Sequence, residues 1–98
     1  MMAGMKRGEL DNRDIEKAIQ EISHKVFFRL AEKGRGVFIG PHECYGLLAE
    51  EFSKELLDAM HANDPVQFRK ELIDIAVVCV VGMASSLPPD TPAKAEAI

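Results

Sequence analysis

The chain has 98 residues, a length that suits a single domain with a modest apolar core. Sixteen acidic residues against twelve basic ones give a formal net charge of -4, which argues against a protein that grips the phosphate backbone of a nucleic acid polymer. Cys44 and Cys79 have no Cys or His partner at zinc spacing, so we expect buried free thiols in a reducing cytoplasm.

Residues 1–8 contain one Lys-Arg pair but lack the apolar segment of a signal peptide, so we expect a soluble cytoplasmic protein. Asp11, Asn12 and Asp14 are good helix-start residues. This start is followed by apolar residues at three- and four-residue steps: Ile15, Ala18, Ile19, Ile22, Val26 and Leu30. The spacing predicts a first amphipathic helix that ends near Lys33-Gly34.

Three glycines surround an apolar trio between Gly34 and Gly40, which predicts a loop or a short extended segment. Pro41 is a good first helical residue, because an N–H in the first turn has no helical partner in any case. A second helix is therefore predicted from Pro41 to about Ala62. Asn63-Asp64-Pro65 repeats the start signal, and so short a turn predicts that the second and third helices pack antiparallel as a hairpin.

The third helix is predicted over residues 65–87, before a Pro-Pro pair. Its early apolar spacing is helical, although the many valines also allow a buried strand. From Ile75 to Ala84 the segment is apolar on every side, which indicates a buried helix. Because one hairpin and one further helix cannot cover it, we expect a helical-bundle homo-oligomer, either a dimer or a tetramer. The run is about half a bilayer span, so no membrane partner is expected. Residues 88–98 are expected to form a mobile tail.

Two pairs of acids stand out on the predicted hairpin. Glu51 and Glu55 are four residues apart on the second helix, and Glu71 and Asp74 are three apart on the third, so each pair shares a helix face. In an antiparallel hairpin of equal pitch, Glu51 lies level with Asp74 and Glu55 with Glu71. All four carboxylates then gather at two adjacent levels, provided that the two faces point toward each other.

Four neighbouring carboxylates repel one another unless a cation lies between them. Oxygen ligands without His or Cys favour magnesium, manganese or calcium over zinc, and magnesium commonly bridges to substrate phosphates. The chemistry implied is hydrolysis of a phosphoric anhydride. The alternative is an ordinary solvated helix surface, on which the acids pair with Lys54, Arg69 and Lys70.

The segment Glu71-Leu-Ile-Asp74, followed by Ile-Ala-Val-Val, resembles the second metal motif of the MazG-like, all-α nucleoside triphosphate pyrophosphohydrolase superfamily. The lead-in from His42 through Tyr45 to Glu51 is also similar to that family, and the likeness spans about residues 40–87. The resemblance implies a single helical domain that cleaves a (d)NTP to the monophosphate and pyrophosphate, and together with the apolar third helix it leads us to expect a homodimer. It also implies Mg²⁺, or Mn²⁺, bound by a set of four acids, to which Glu51, Glu71 and Asp74 correspond, with Glu55 as the candidate for the fourth ligand.

The sequence departs from the family at Lys54, which stands where the first motif has its last Glu. Glu55 comes one position later, a displacement of about 100° around an α-helix. Glu55 either replaces the missing ligand, or Lys54 pairs with the acids and leaves a non-catalytic binding or regulatory module. A third interpretation is a purely structural oligomerisation domain.

Substrate contacts are predicted at His42, Arg35 and Lys54, although each also fits an ordinary surface position. His42 stands at a helix start, where exposed amides favour anions, and Arg35 lies between glycines. Three aromatic residues are further candidates for stacking on a base, although such residues are more often core: Phe27, Phe28 and Phe38.

Overall fold

The computed structural model describes residues 7–85, so the predicted tail at 88–98 lies outside the described residues. Within this range the regular structure is entirely helical, which confirms the predicted all-α class and excludes the alternative of a valine-rich strand. The helical segments, in chain order, are α1 (Asn12–Lys33), α2 (Pro41–Glu50), a π-helical segment (Glu51–Leu56), α3 (Leu57–His61) and α4 (Pro65–Ser85).

Local capping explains where α1 begins and ends. The Asp11 side chain accepts a hydrogen bond from the backbone N–H of Arg13 at 2.7 Å, as an N-cap residue does. At the other end, Gly34 has a φ of 94°, in the left-handed region that a glycine adopts without a steric penalty. The Gly34 N–H donates to the Leu30 carbonyl at 2.8 Å. Both boundaries agree with the prediction.

The segments from Pro41 to His61 form one continuous rod, because the junction residues Glu51 and Leu57 keep right-handed helical dihedral angles. The rod ends in a tight turn in which Asn63 has a φ of 54°. Asp64 then caps α4, its Oδ1 atom accepting from the Gln67 N–H at 3.0 Å. The chain reverses at this turn, which gives the predicted helical hairpin.

Helix α4 contacts every other helical segment. Two ion pairs join it to α1: Glu21 with Arg69, and Arg29 with Asp74. Arg29 follows Glu21 along α1, and its partner Asp74 follows Arg69 along α4. The two helices therefore run in the same direction. The segment after α1 passes the C-terminal end of α4, where the Phe38 N–H donates to Ser85 Oγ at 2.9 Å.

The core of the single chain is small. Among the described residues, the buried apolar side chains are those of Val26, Ala59 and Val77, and no side chain is fully buried. Buried Gly82 lets α2 approach closely, since a Cβ atom there would lie 2.7 Å from the Cys44 sulfur.

Part of the apolar segment of α4 is exposed in the single chain. The exposed residues of this segment are Cys79, Val80, Met83 and Ala84, and Leu72 is exposed three residues before it; these five residues form the exposed stripe. Both cysteines are free thiols, as expected, but the expectation that both are buried is wrong for this chain: Cys44 is half-buried and Cys79 is exposed. Cys79 is exposed because no other described segment covers its side of α4. No helix within residues 7–85 has the combination of length and apolarity that crossing a membrane requires.

Candidate metal centre

Three carboxylates meet between the π-helical segment and α4. Glu51 and Glu55 come from the π-helical segment and Glu71 from α4, and one oxygen atom of each lies within 4.8 Å of the others. Glu71 is only 7% exposed and is the one buried charged residue in the described part of the chain. A carboxylate is rarely so buried without a compensating partner. These three residues form the carboxylate cluster.

The π-helical segment coincides with the position at which the sequence departs from the family motif. A π turn, with hydrogen bonds from i to i+5, contains one residue more than an α turn, and such turns are frequent at functional sites. Glu55 lies one position beyond the motif's last Glu, and the wider turn accommodates that extra residue. The prediction of unbroken α-helical pitch is wrong over residues 51–56. Glu51 and Glu55 nevertheless converge with Glu71.

Lys54 does not fill the space between these acids. Its side chain is exposed, and it makes no ion pair with any residue of the described range 7–85. The predicted alternative, in which Lys54 neutralises the acids as an internal partner, is therefore absent from this part of the chain.

Glu51 experiences the strongest electrostatic effect of the cluster. Burial raises the pKa of its carboxyl group from the ordinary 4.5 to about 7, assisted by a hydrogen bond with Glu55 and by the negative charges of Glu55, Asp74 and Glu71. The Oε2 atom of Glu51 is buried and has no hydrogen-bond partner within residues 7–85. A buried oxygen without a partner costs free energy that a proton or a cation would recover.

A neighbouring amide orients Glu71. Gln67 Nε2 donates a hydrogen bond to Glu71 Oε2 from four residues earlier on α4, so the two side chains share a helix face. Groups that do not contact the metal but hydrogen-bond to its ligands are a regular part of metal sites. Gln67 was not among the predicted site residues, although its four-residue spacing from Glu71 was the available signal.

Asp74, the fourth predicted ligand, has a different partner. Arg29 of α1 donates from Nη2 to Asp74 Oδ1 at 3.1 Å. Asp74 lies near enough for its charge to raise the pKa of Glu51, but it is outside the group of three converging carboxylates. Arg29 was not predicted as the partner of Asp74, because no local pattern links residues 45 positions apart.

The predicted substrate residues are dispersed. His42 is exposed at the start of α2, and Lys54 is exposed on the π-helical segment. Arg35 lines a separate cavity of about 280 Å³ near the C-terminal end of α4, beside Val80 and Ser85. None of the three makes a hydrogen bond or an ion pair with the carboxylate cluster within the described residues.

The donor set fits a hard divalent cation. Its ligands are all carboxylate oxygens, a type that suits Mg²⁺ or Mn²⁺ better than zinc, and the partnerless Glu51 oxygen has unused acceptor capacity. Comparisons with protein-family models, curated proteins and solved structures give no match for this chain. The likeness to the MazG-like superfamily therefore rests on the motifs quoted above.

Proposed function

We propose that this protein is a magnesium-dependent nucleotide pyrophosphohydrolase of the MazG-like type, which cleaves a (d)NTP to its monophosphate and pyrophosphate. The observation that carries the proposal is the convergence of Glu51, Glu55 and Glu71 around a buried carboxylate oxygen without a partner. An exposed acidic helix surface would not bury Glu71 or deprive Glu51 of solvent.

The side chains divide into ligands and residues that position them. Glu51, Glu55 and Glu71 would hold the cation, Mg²⁺ or Mn²⁺, while Gln67 fixes the orientation of Glu71. Asp74 remains a candidate fourth ligand, which Arg29 holds beside the cluster. A bound cation would neutralise charge on the substrate phosphates and lower the pKa of a water molecule.

The site would operate in a homo-oligomer. The single chain buries few apolar side chains, and so small a core contributes little stability unless a metal or a partner adds to it. The exposed stripe of α4 is suited to contact with a second copy, because an apolar surface of this kind is unusual on a monomer.

Release of pyrophosphate from a panel of NTPs and dNTPs in Mg²⁺ tests the enzymatic proposal. Glu71→Gln keeps the shape of the side chain but removes a ligand charge, so we expect the rate to fall by about 100-fold or more. Glu16→Gln, at an exposed position on α1, is the matched control and should retain the natural rate. The absence of turnover on every nucleotide would refute the enzymatic function.

The second candidate function is a non-catalytic binding or regulatory module, which Lys54 favours because it occupies a ligand position of the family motif. Lys54→Glu separates the two functions. If the natural protein binds no Mn²⁺ and this variant does, the site has lost its metal and the module is the better description. If the natural protein binds Mn²⁺ and turns over nucleotide, the replacement by Glu55 is functional.

A further inference from the structure

A cavity of about 690 Å³ lies between α1 and α4, beside the carboxylate cluster. Its volume is in the range of small-molecule sites. Two of its lining residues connect it to the cluster: Gln67 donates to Glu71, and the charge of Asp74 acts on Glu51. A ligand in this cavity would therefore lie next to a cation held by the cluster.

The two acids that line the cavity are already paired. Asp74 accepts from Arg29, and Glu21 forms an ion pair with Arg69. The Arg69 guanidinium holds the pKa of Glu21 below its ordinary value, which is the expected effect of such a partner. Their negative charge is thus matched by arginines before any ligand binds.

The basic residues of the cavity lack acidic partners. Lys25 and Lys70 both line it, and neither forms an ion pair with another residue in the described range 7–85. The Lys25 Nζ atom lies over the Phe28 ring, 5.5 Å from its centroid, and Phe28 is 54% exposed. Two ammonium groups without an ion pair in the described residues therefore line the cavity, beside a half-exposed aromatic ring and two acids that arginines already pair.

We infer that this cavity binds the nucleotide, with Lys25 and Lys70 contacting its phosphate groups and Phe28 contacting its base. The inference rests on the proposed function, since it names the substrate-binding part of the same site. Lysine ammonium groups bind phosphate as point charges, and an exposed aromatic ring offers a stacking surface to any base.

The same geometry predicts that the nucleotide and the cation bind cooperatively. Phosphate groups next to Glu51, Glu55 and Glu71 would be repelled by the empty cluster, whereas a divalent cation there would attract them. Each ligand should therefore raise the affinity for the other by the same factor.

The test is isothermal titration of the protein with a non-hydrolysable dATP or dUTP analogue that carries a methylene bridge between its α and β phosphorus atoms, in saturating Mg²⁺. Lys25→Gln and Lys70→Gln should each weaken binding by about 10-fold, as expected for a lost charged hydrogen bond. Lys33→Gln, at an exposed position outside the cavity, is the control and should bind like the natural protein. Lys25→Arg should retain binding, because the positive charge is kept, and circular dichroism shows whether each variant remains helical.

Separate titration of the natural protein with Mn²⁺ alone distinguishes the two proposals. If both lysine variants bind the analogue as well as the natural protein does, the cavity assignment is wrong while the metal centre stands. Binding of Mn²⁺ without binding of either analogue would likewise overturn the cavity assignment alone. Lysine-dependent binding of the analogue by a protein that binds no Mn²⁺ would support the cavity and overturn the hydrolase.

Discussion

Glu51 is the residue on which burial and the charges of the neighbouring acids act together. Its carboxyl group is partly buried, faces three other acids and has one oxygen without a hydrogen-bond partner among the described residues. The raised pKa means that the folded, metal-free protein keeps a proton on this group at pH values where the unfolded chain has released it. A proton or a cation at the cluster therefore reduces the repulsion between its carboxylates and stabilises the folded protein.

This protonation makes the stability of the metal-free protein depend on pH. Because the folded-state pKa is raised from 4.5 to about 7, the favourable contribution is complete below pH 4.5 and is lost as pH rises through 7. In EDTA, we expect the melting temperature to fall between pH 5 and pH 8 by more in the natural protein than in Glu51→Gln. Thermal melts followed by circular dichroism measure both. An equal pH dependence in the two proteins would show that Glu51 is not the titrating group.

At the scale of the helix, the π-helical segment determines the direction in which the Glu55 side chain points. One additional residue in a regular α-helix would turn Glu55 by about 100° relative to the family motif. A wider turn accommodates that residue, and the helices on either side continue in one rod. Lys54, exposed and without an ion pair in the described residues, is the natural candidate for the inserted residue.

Deletion of Lys54 tests this interpretation. The shortened chain should replace the π turn by an α turn, place Glu55 at the motif's spacing and keep its affinity for Mn²⁺ within about tenfold. Deletion of Asp58, an exposed residue of regular α3, is the control. Removal of one residue from an α-helix turns the residues on one side of it by about 100° relative to the other side. Either Glu55 or buried Ala59 would then point in a new direction, so the variant should lose metal affinity or stability. Equal damage from both deletions would contradict the inserted-residue account.

Helix boundaries could be predicted from the sequence because their signals are local. Asp11, Gly34 and Asp64 each act on backbone groups within four residues. The π turn could not be predicted, since the apolar pattern of so short a segment does not distinguish one extra residue per turn. The ion pair of Arg29 with Asp74 could not be predicted either, because it depends on how α1 is rotated against α4. The convergence of the acids could be predicted from the hairpin, but their hydrogen-bond partners Arg29 and Gln67 were not predicted.

For the whole molecule, the main question is what covers the exposed stripe of α4. Met83 is 75% exposed on the single chain, next to a core with only three buried apolar side chains among the described residues. A second copy of the chain would remove this surface from water, with a gain of roughly 25 cal/mol for each Å² of apolar area buried.

Met83→Glu tests this assembly. A charge placed in an apolar contact between copies is costly, so we expect the variant to shift from oligomer to monomer in sedimentation velocity at micromolar concentration. Val66→Glu, at another exposed apolar position on α4, is the matched control and should sediment like the natural protein. A natural protein that sediments as a monomer at every concentration would refute the homo-oligomer.

Titration with Mn²⁺, followed by the electron paramagnetic resonance signal of the free ion, tests the central claim most directly. The claim is that Glu51, Glu55 and Glu71 form one cation site. We predict saturable binding by the natural protein, a loss of at least about tenfold in affinity for Glu51→Gln and for Glu71→Gln, and no loss for the exposed control Glu16→Gln. Absence of saturable binding, or equal affinities in all four proteins, would contradict the metal centre.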